Sequence, residues 1–441
     1  MESTVLSVIL ILSIAVAVYL GYRTKINTGL FCMVFAYLIG CFWIGLKPKA
    51  LIAYWPTKIM FVILAVSLFY NVAASNGTLE KISKNLLYGC RRVPGMLPYA
   101  LFCVAVILSV MGAAYFTVLA FLAPITMLIC DESKMDKLTG AIAINCGALA
   151  GGDFPTAALG VIFRGLMDSS YEETPELTPI DSFSSTFVLF GLAIVSSLIL
   201  ITVFRFAIKA NRNIGKGVTF TKPEPYNKQQ KQTLTLIIIM MVIVLLFPLL
   251  KLLLPNVEII GKIAGKIDVG LVAIIFAVIA LLMKLAPQKE IISKVPWNTI
   301  IMIAGAGMLI AVAVEAGTID MLSAWIGENI PAFLIPFMFG IVAAFMSFFS
   351  STTGVVAPAL FPLIPALATS VGINPAVLFT CTVLGAQSSA ISPFSSGGSL
   401  VLSGCTNEEQ RGALFNRLLF VGVPVSIGCC AVYNIIVSLI L

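Results

Sequence analysis

An all-α polytopic membrane protein is the fold class this sequence predicts, built as an inverted repeat of two halves. Each half is expected to hold five crossings, a re-entrant hairpin and a discontinuous helix. Three observations carry that expectation. The 441 residues are 59% hydrophobic and 11% charged, with mean hydropathy +1.05, less polar surface than a soluble domain of this length keeps. Apolar runs of about 18–25 residues, enough to cross a hydrocarbon core, recur along the chain. The two halves also match each other at a near-constant spacing.

The runs fall near 4–21, 27–46, 57–76, 182–208, 233–253, 268–286, 298–316 and 414–441. No small-residue cleavage site follows the first, which reads as a retained span and not a signal peptide. Between the runs lie two longer apolar regions, 96–166 and 332–403, punctuated by Gly, Pro, Ser and Thr. Segments 77–93 and 317–330 have mixed faces and read as interfacial helices lying flat, either as arms between two moving parts or as plain surface helices.

Charge sets the orientation. Arg23, Lys25, Lys81, Lys84, Arg91 and Arg92 follow early spans, and Lys284, Lys289, Lys294, Arg411 and Arg417 flank later ones. The polar linker 211–232 is rich in Lys and Gln, and the acidic loop 168–181 falls on the opposite face. Lys and Arg mark the cytoplasmic side. The linker is therefore expected to be cytoplasmic and both termini outside, in the plasma (inner) membrane. The net charge of +7 belongs to short loops beside spans and does not imply nucleic acid; lipid is the expected surrounding. Ten scattered cysteines without C-x-x-C spacing read as packing residues. The absence of histidine removes His-based zinc sites, His proton relays and Ser-His-Asp chemistry.

The repeat is legible residue by residue. GTLEKIS at 77–83 corresponds to GTIDMLS 240 residues later, at 317–323. At an offset of 238, Pro124 pairs with Pro362, Gly147 and Ala148 with Gly385 and Ala386, Pro155 with Pro393, and Gly160 with Gly398. Residues 1–210 form the first repeat, 211–232 the linker and 233–441 the second. Five crossings per half reverse the second half, and inverted repeats place substrate where two broken segments meet. A secondary transporter follows.

In lipid, unwound backbone survives only where protein buries it or it lines a wet cavity. Gly151, Gly152 and Pro155 are expected to break the helix of 138–166. Ser392, Pro393, Gly397 and Gly398 are expected to break that of 375–403. Each half-helix start is a cradle for an anion, while unwound carbonyls and hydroxyls suit a small hard cation. Ser350, Ser351, Thr352 and Thr353 give the second hairpin tip four hydroxyls; the first tip, Gly112, Ala113, Ala114, Tyr115 and Thr117, is poorer in oxygen. A carboxylate at the bilayer centre costs roughly 2.5–3.5 kcal/mol on insertion scales, so Asp153 needs a role. It binds Na⁺ or H⁺ as the coupling group, pairs with Arg164, or recognises a substrate amine; Arg164 itself reads as snorkelling to the interface. The candidate substrate-binding residues are Thr156, Ser351, Thr352, Gln387, Ser388, Ser392, Pro393, Ser395, Ser396 and Gly397. The candidate cation-coupling residues are Asp153, Asn145, Gly151, Ser350, Thr353 and Gly385. No organic cofactor is required; Na⁺ or H⁺ is the coupling ion.

This pattern of hairpin, broken helix and inverted repeat resembles the ion transporter superfamily. Within it, the chain is similar to the divalent anion/sodium symporters and their malonate-carrier (MatC-type) permease relatives. GALAGGDFPTAALGVI looks like the G-A-N-A-G-G-x-x-P…G-V-I segment of the latter, and the architectural likeness spans essentially the whole chain. The resemblance implies a homodimer, a scaffold made of the first three spans of each half, and a transport domain of hairpins and broken helices. It also implies elevator movement and cation-driven uptake of a small dicarboxylate or similar organic anion. The symporters carry Ser-Asn-Thr at both tips. Here the second tip offers Ser350-Ser351-Thr352 or Ser351-Thr352-Thr353, the first matches nothing, Leu149 replaces an expected Asn, and Asp153 is an addition. These departures imply altered coupling, by a proton in place of sodium, or a zwitterionic substrate.

Other classes fit less well. A channel needs a continuous polar pore. An intramembrane aspartyl enzyme needs a second core aspartate and a serine enzyme needs a base, so an enzyme is not expected. A cation/proton antiporter of the same superfamily would use Asp153 but has no need of the Ser/Thr/Gln-rich second site. An oxyanion exporter would share the fold.

Overall fold

The computed structural model describes residues 2–24, 26–89, 96–172, 176–209, 211, 222–253, 257–264, 266–349, 351–405 and 407–440. Every regular element among them is helical. The first half runs α1 (Glu2–Thr24), α2 (Thr28–Phe42), α3 (Pro48–Ala53), α4 (Thr57–Ser75) and α5 (Thr78–Gly89). It continues through α6 (Leu97–Val110), α7 (Tyr115–Ser133), α8 (Lys137–Gly152), α9 (Ala158–Glu172) and α10 (Ser182–Ala207). The second half opens with α11 (Lys228–Leu253), α12 (Glu258–Ala264), α13 (Val269–Leu282), α14 (Gln288–Ser293), α15 (Trp297–Glu315) and α16 (Thr318–Asn329). Next come α17 (Ile335–Phe349) and a segment wound as π-helix over Thr352–Val356, which proceeds through α18 (Ala357–Leu360), a 3₁₀ turn at Phe361–Leu363 and α19 (Ile364–Val371). The chain ends in α20 (Pro375–Ser388), α21 (Ser396–Ser403), α22 (Glu408–Arg417), a π turn at Leu418–Gly422 and α23 (Val423–Ile440).

The order of elements in the second half repeats that of the first, with α12 as an addition and α22 running on into α23 as one span. Packing repeats too. α2 lies against α15 and α4 against α13; α6 lies against α8 and α17 against α20. Both crossings of the last kind are backbone-close, because Gly147 sits on the carbonyl of Phe102 and Gly385 on Gly340. Small residues at such crossings replace the hydrophobic drive that lipid cannot supply. One apolar core joins both halves, and a smaller one unites α1 and α2 with α15.

Among the described residues four stretches are long and apolar enough to cross a membrane, and eight shorter helices are apolar. Large side chains such as Leu271, Ile275 and Leu282 on α13, or Ile238 and Val242 on α11, are exposed, which water would penalise and lipid would not. Side-chain caps start several helices. Asn27 accepts from the amide of Gly29, Asp181 from Phe183, and Asp268 from Leu271.

The structure corrects several expected limits. α9 continues to Glu172, so the acidic stretch begins inside a helix and not as a loop from 168. α11 starts at Lys228, inside the expected linker, because a polar helical turn precedes the apolar run. The last span starts as α22 at Glu408. Linker residues 212–221, and residues 90–93 of the first flat segment, lie outside the described residues.

Asp136 ties three parts together. It caps α8 by accepting from the amide of Thr139 at 3.1 Å, pairs with Arg417, and offers its own amide to Asn211 at 3.1 Å. Asp136→Ala is expected to cost about 2 kcal/mol, roughly 1 for the cap and the rest for the half-exposed ion pair. Arg417→Ala should cost less, because water reaches the guanidinium. Thermal denaturation in detergent checks this, and a larger loss for Arg417→Ala would put the ion pair ahead of the cap.

Candidate functional site

At the first hairpin tip the chain turns on Gly112, with φ +95°, a conformation that favours glycine; a Cβ there would also enter the ring of Tyr70. Ala114 then starts α7 without a side-chain cap. The second tip is built from hydroxyls. The Ser351 Oγ accepts from the amide of Gly354 at 3.3 Å and lies 3.4 Å from Thr353 Oγ1, while Thr352 Oγ1 lies 3.1 Å from Ser347 Oγ.

The two breaks are built alike. After α8, turn bonds run from Asp153 N to Leu149 O (3.0 Å) and from Ala157 N to Phe154 O (2.8 Å), and Pro155 has no N–H to extend the helix. After α20 they run from Ala390 N to Gln387 O (3.1 Å) and from Ser392 N to Ser389 O (2.9 Å). Gly160 seats α9 on the carbonyls of Asp153 and Phe154; Gly398 seats α21 on those of Ile391 and Ser392. These are the same positions at the offset of 238. Ser395 caps α21, accepting from Gly398 N at 3.2 Å and donating to the carbonyls of Ala390 and Ser392 at 2.6 and 2.7 Å.

Tips and breaks meet around a cavity of about 120 Å³. Four helix starts border it: Tyr115 and Phe116 on α7, Ala158 and Leu159 on α9, Ser351–Thr353 at the second tip, and Ser395 and Gly397 at α21. Among the described residues, no ionised side chain lines it. Each helix start carries up to about half a positive charge on its free N–H groups, so the cavity is electropositive without a buried cation. Leu149, Ile162 and Phe163 give it an apolar wall, and Ser347 and Gln387 add polar groups to the rest. Two wider cavities also border α9. One, of about 310 Å³, shares Ala114, Ala158, Ile162 and Pro296 with the first cavity and reaches Lys294; the other, of about 440 Å³, reaches Glu172 and Glu315.

Asp153 is wholly buried and does not line the cavity. Its Oδ1 accepts from Gln387 Nε2 at 2.8 Å, and Gln387 does line it; Oδ2 and the Thr156 hydroxyl, in the same break, are buried without a partner among the described residues. Arg164 does not pair with Asp153. It donates to the carbonyl of Pro155 at 3.2 Å and stacks over Phe183, 5.2 Å from the ring centroid.

The candidate residues therefore separate. Ser351, Thr352, Thr353, Gln387, Ser395 and Gly397 converge on the cavity. Asp153 stands behind Gln387, and Asn145 behind Tyr115, whose hydroxyl donates to Asn145 Oδ1 at 2.6 Å. Ser388 turns toward a second small cavity beside Cys146, which shares Leu149 and Gln387 with the first, and its hydroxyl donates to the Gly385 carbonyl at 2.6 Å. Ser392 is buried as a turn acceptor for Phe394 N at 3.2 Å; Pro393 is buried in that turn without lining the cavity. Gly151 and Gly385, expected as coupling residues, are close-packing positions against Val106 and Gly340. Ser350 and the Ser396 side chain lie outside the described residues. Tyr115 and Ser347 were absent from the expected set. The signal for Tyr115 was the repeat itself, because the offset of 238 places it at Thr353.

Two family models match the chain. One, described as the sodium:sulfate symporter transmembrane region, covers residues 181–439. The other, described as the dicarboxylate carrier protein MatC N-terminus, covers residues 4–152. Among solved structures, the chain is similar in fold to the YdaH transporter of Alcanivorax borkumensis, described as having an unusual topology. Identity is 18%, over 88% of this chain and 86% of that one, with a TM-score of 0.61. No curated protein matches the chain.

Proposed function

The chain belongs to the sodium:sulfate symporter family, and from that membership we propose that it carries a small dicarboxylate-like organic anion across the plasma (inner) membrane, coupled to a cation. The observation that carries this reading is the convergence of four helix starts on one cavity that no ionised side chain lines among the described residues. Such a site attracts a dianion yet contains no salt bridge that would hold it too tightly to release. The apolar wall of Leu149, Ile162 and Phe163 suits a carbon chain better than a bare inorganic oxyanion, and the match of residues 4–152 to a dicarboxylate carrier points the same way.

The hydroxyls of Ser351, Thr352 and Thr353 form the cation end of the site, with sodium as the ion bound there. The reading includes the inverted repeat of 1–210 and 233–441, a cytoplasmic linker, outside termini, a homodimer and elevator movement. The repeated element order supports the first of these. The two wider cavities, one along the start of α9 and one along its end, suit a site that opens alternately.

Uptake of labelled malonate, succinate and malate into proteoliposomes, with sodium and proton gradients imposed separately, tests the proposal. Uptake should require sodium. Ser351→Ala with Thr352→Val is expected to raise the sodium needed for half-maximal uptake at least about tenfold, the scale of one lost charge-assisted bond. Accumulation of none of these anions under either gradient would refute the substrate class.

A further inference from the structure

We infer that Gln387 is a positioning residue that reports the protonation of Asp153 to the anion cavity, so that anion binding requires a proton on Asp153. The inference rests on the anion-carrier reading above and adds a proton to it.

A buried carboxylate needs a cation or a proton to balance it. The titratable groups on the elements packed around α8 and its break do not serve. Tyr115 on α7 is spent on Asn145, Cys130 on the carbonyl of Asp136, Arg164 on Pro155 and Phe183, and Arg417 on Asp136. Arg205 on α10 lies over Tyr99 of α6. Cys103 on α6, Cys146 on α8 and Cys381 on α20 carry no positive charge. Among the described residues the one bond to the Asp153 carboxylate comes from Gln387, and Oδ2 is unmatched.

An amide has a donor end and an acceptor end pointing opposite ways. With Nε2 donating to Asp153, Oε1 is the end left for the cavity, where it repels the oxygens of an anion. A proton delivered as hydronium, which leaves as water, converts the Asp153 carboxylate to the acid and makes that group a donor. It then favours Oε1, the amide turns half a revolution about its last bond, and its two N–H groups face the cavity. No covalent bond changes other than the transferred O–H. In the first repeat the equivalent position is Leu149, which also lines the cavity, so the device exists once and joins residues from opposite halves.

The test is malonate binding to the full chain in lipid nanodiscs by calorimetry, at fixed sodium, from about pH 5 to 10, a window that runs well past the ordinary carboxylate range. Wild-type affinity should fall with rising pH once Asp153 ionises in the unliganded protein, approaching tenfold per unit for one linked proton. Asp153→Asn keeps a donor toward Oε1, and should bind at the low-pH affinity throughout. Gln387→Leu should bind at least about tenfold more weakly and without pH dependence, although Asp153 is intact. Gln387→Asn, too short to reach Asp153, should lose the pH dependence as well and serves if the leucine variant is unstable. A pH-independent wild type, or either Gln387 variant retaining the wild-type slope, would overturn the inference alone. Absence of malonate binding to wild type at every pH would overturn the carrier reading with it.

Discussion

Gly397→Ala is expected to lower anion uptake at least about tenfold, and adding Tyr115→Phe should restore part of the loss. Gly397 opens α21 at the cavity, and a Cβ there would overlap the Tyr115 hydroxyl and lie 2.7 Å from the Ala390 carbonyl oxygen. The phenol cannot simply swing aside, because it is held at 2.6 Å by Asn145 in a buried position. The alanine therefore pushes either the first turn of α21 or the start of α7, two of the four helix starts that make the cavity attractive to an anion. Tyr115→Phe by itself strands the Asn145 carbonyl oxygen, a cost of about 1–3 kcal/mol. In the double variant the clashing oxygen is gone, so the two losses should not add, with a coupling of about 1 kcal/mol or more. Initial uptake rates of the two single variants and the double variant measure this. Strictly additive losses would mean that the two positions do not touch in the working protein.

Gly385→Leu is expected to leave almost no folded transporter. α20 crosses α17 backbone to backbone at this point, and a Cβ would stand 2.7 Å from the Gly340 carbonyl carbon. No side-chain rotamer relieves a clash with main chain, so the two helices must separate. Overpacking of this kind costs about 3 kcal/mol or more, a large part of the stability of an ordinary domain. It would also shift the second break, since α20 ends at Ser388, one turn away. Gly428→Ala, with open space where its Cβ would go, is the matched control and should behave as wild type. Monodispersity and melting temperature in detergent separate the two, and a normal melting curve for Gly385→Leu would refute the close crossing.

Much of this architecture could be read in advance because it is written locally. Apolar length marks a crossing, Pro155 cannot continue a helix, and paired glycines at the offset of 238 announce that whatever one half does the other repeats. These signals depend on backbone chemistry within a few residues. The sequence by itself thus determined the helical membrane class, the two hairpins, the two breaks and their equivalence.

The composition of the site was decided by tertiary structure. Neighbours in sequence diverge on a helix by about 100°, so Gln387 faces the cavity while Ser388 bonds back to Gly385. In a helix buried on every side no amphipathic pattern tells which of the two faces inward. The serines of the second break looked alike as a cluster, yet Ser395 lines the cavity and Ser392 closes a turn, because a short hydroxyl is readily taken by nearby backbone. Asp153 meets Gln387 across 234 residues, and Tyr115 meets Gly397 across the two halves. Neither contact has a local cause: both follow from the way two broken helices are packed tip to tip, which only the assembled fold specifies.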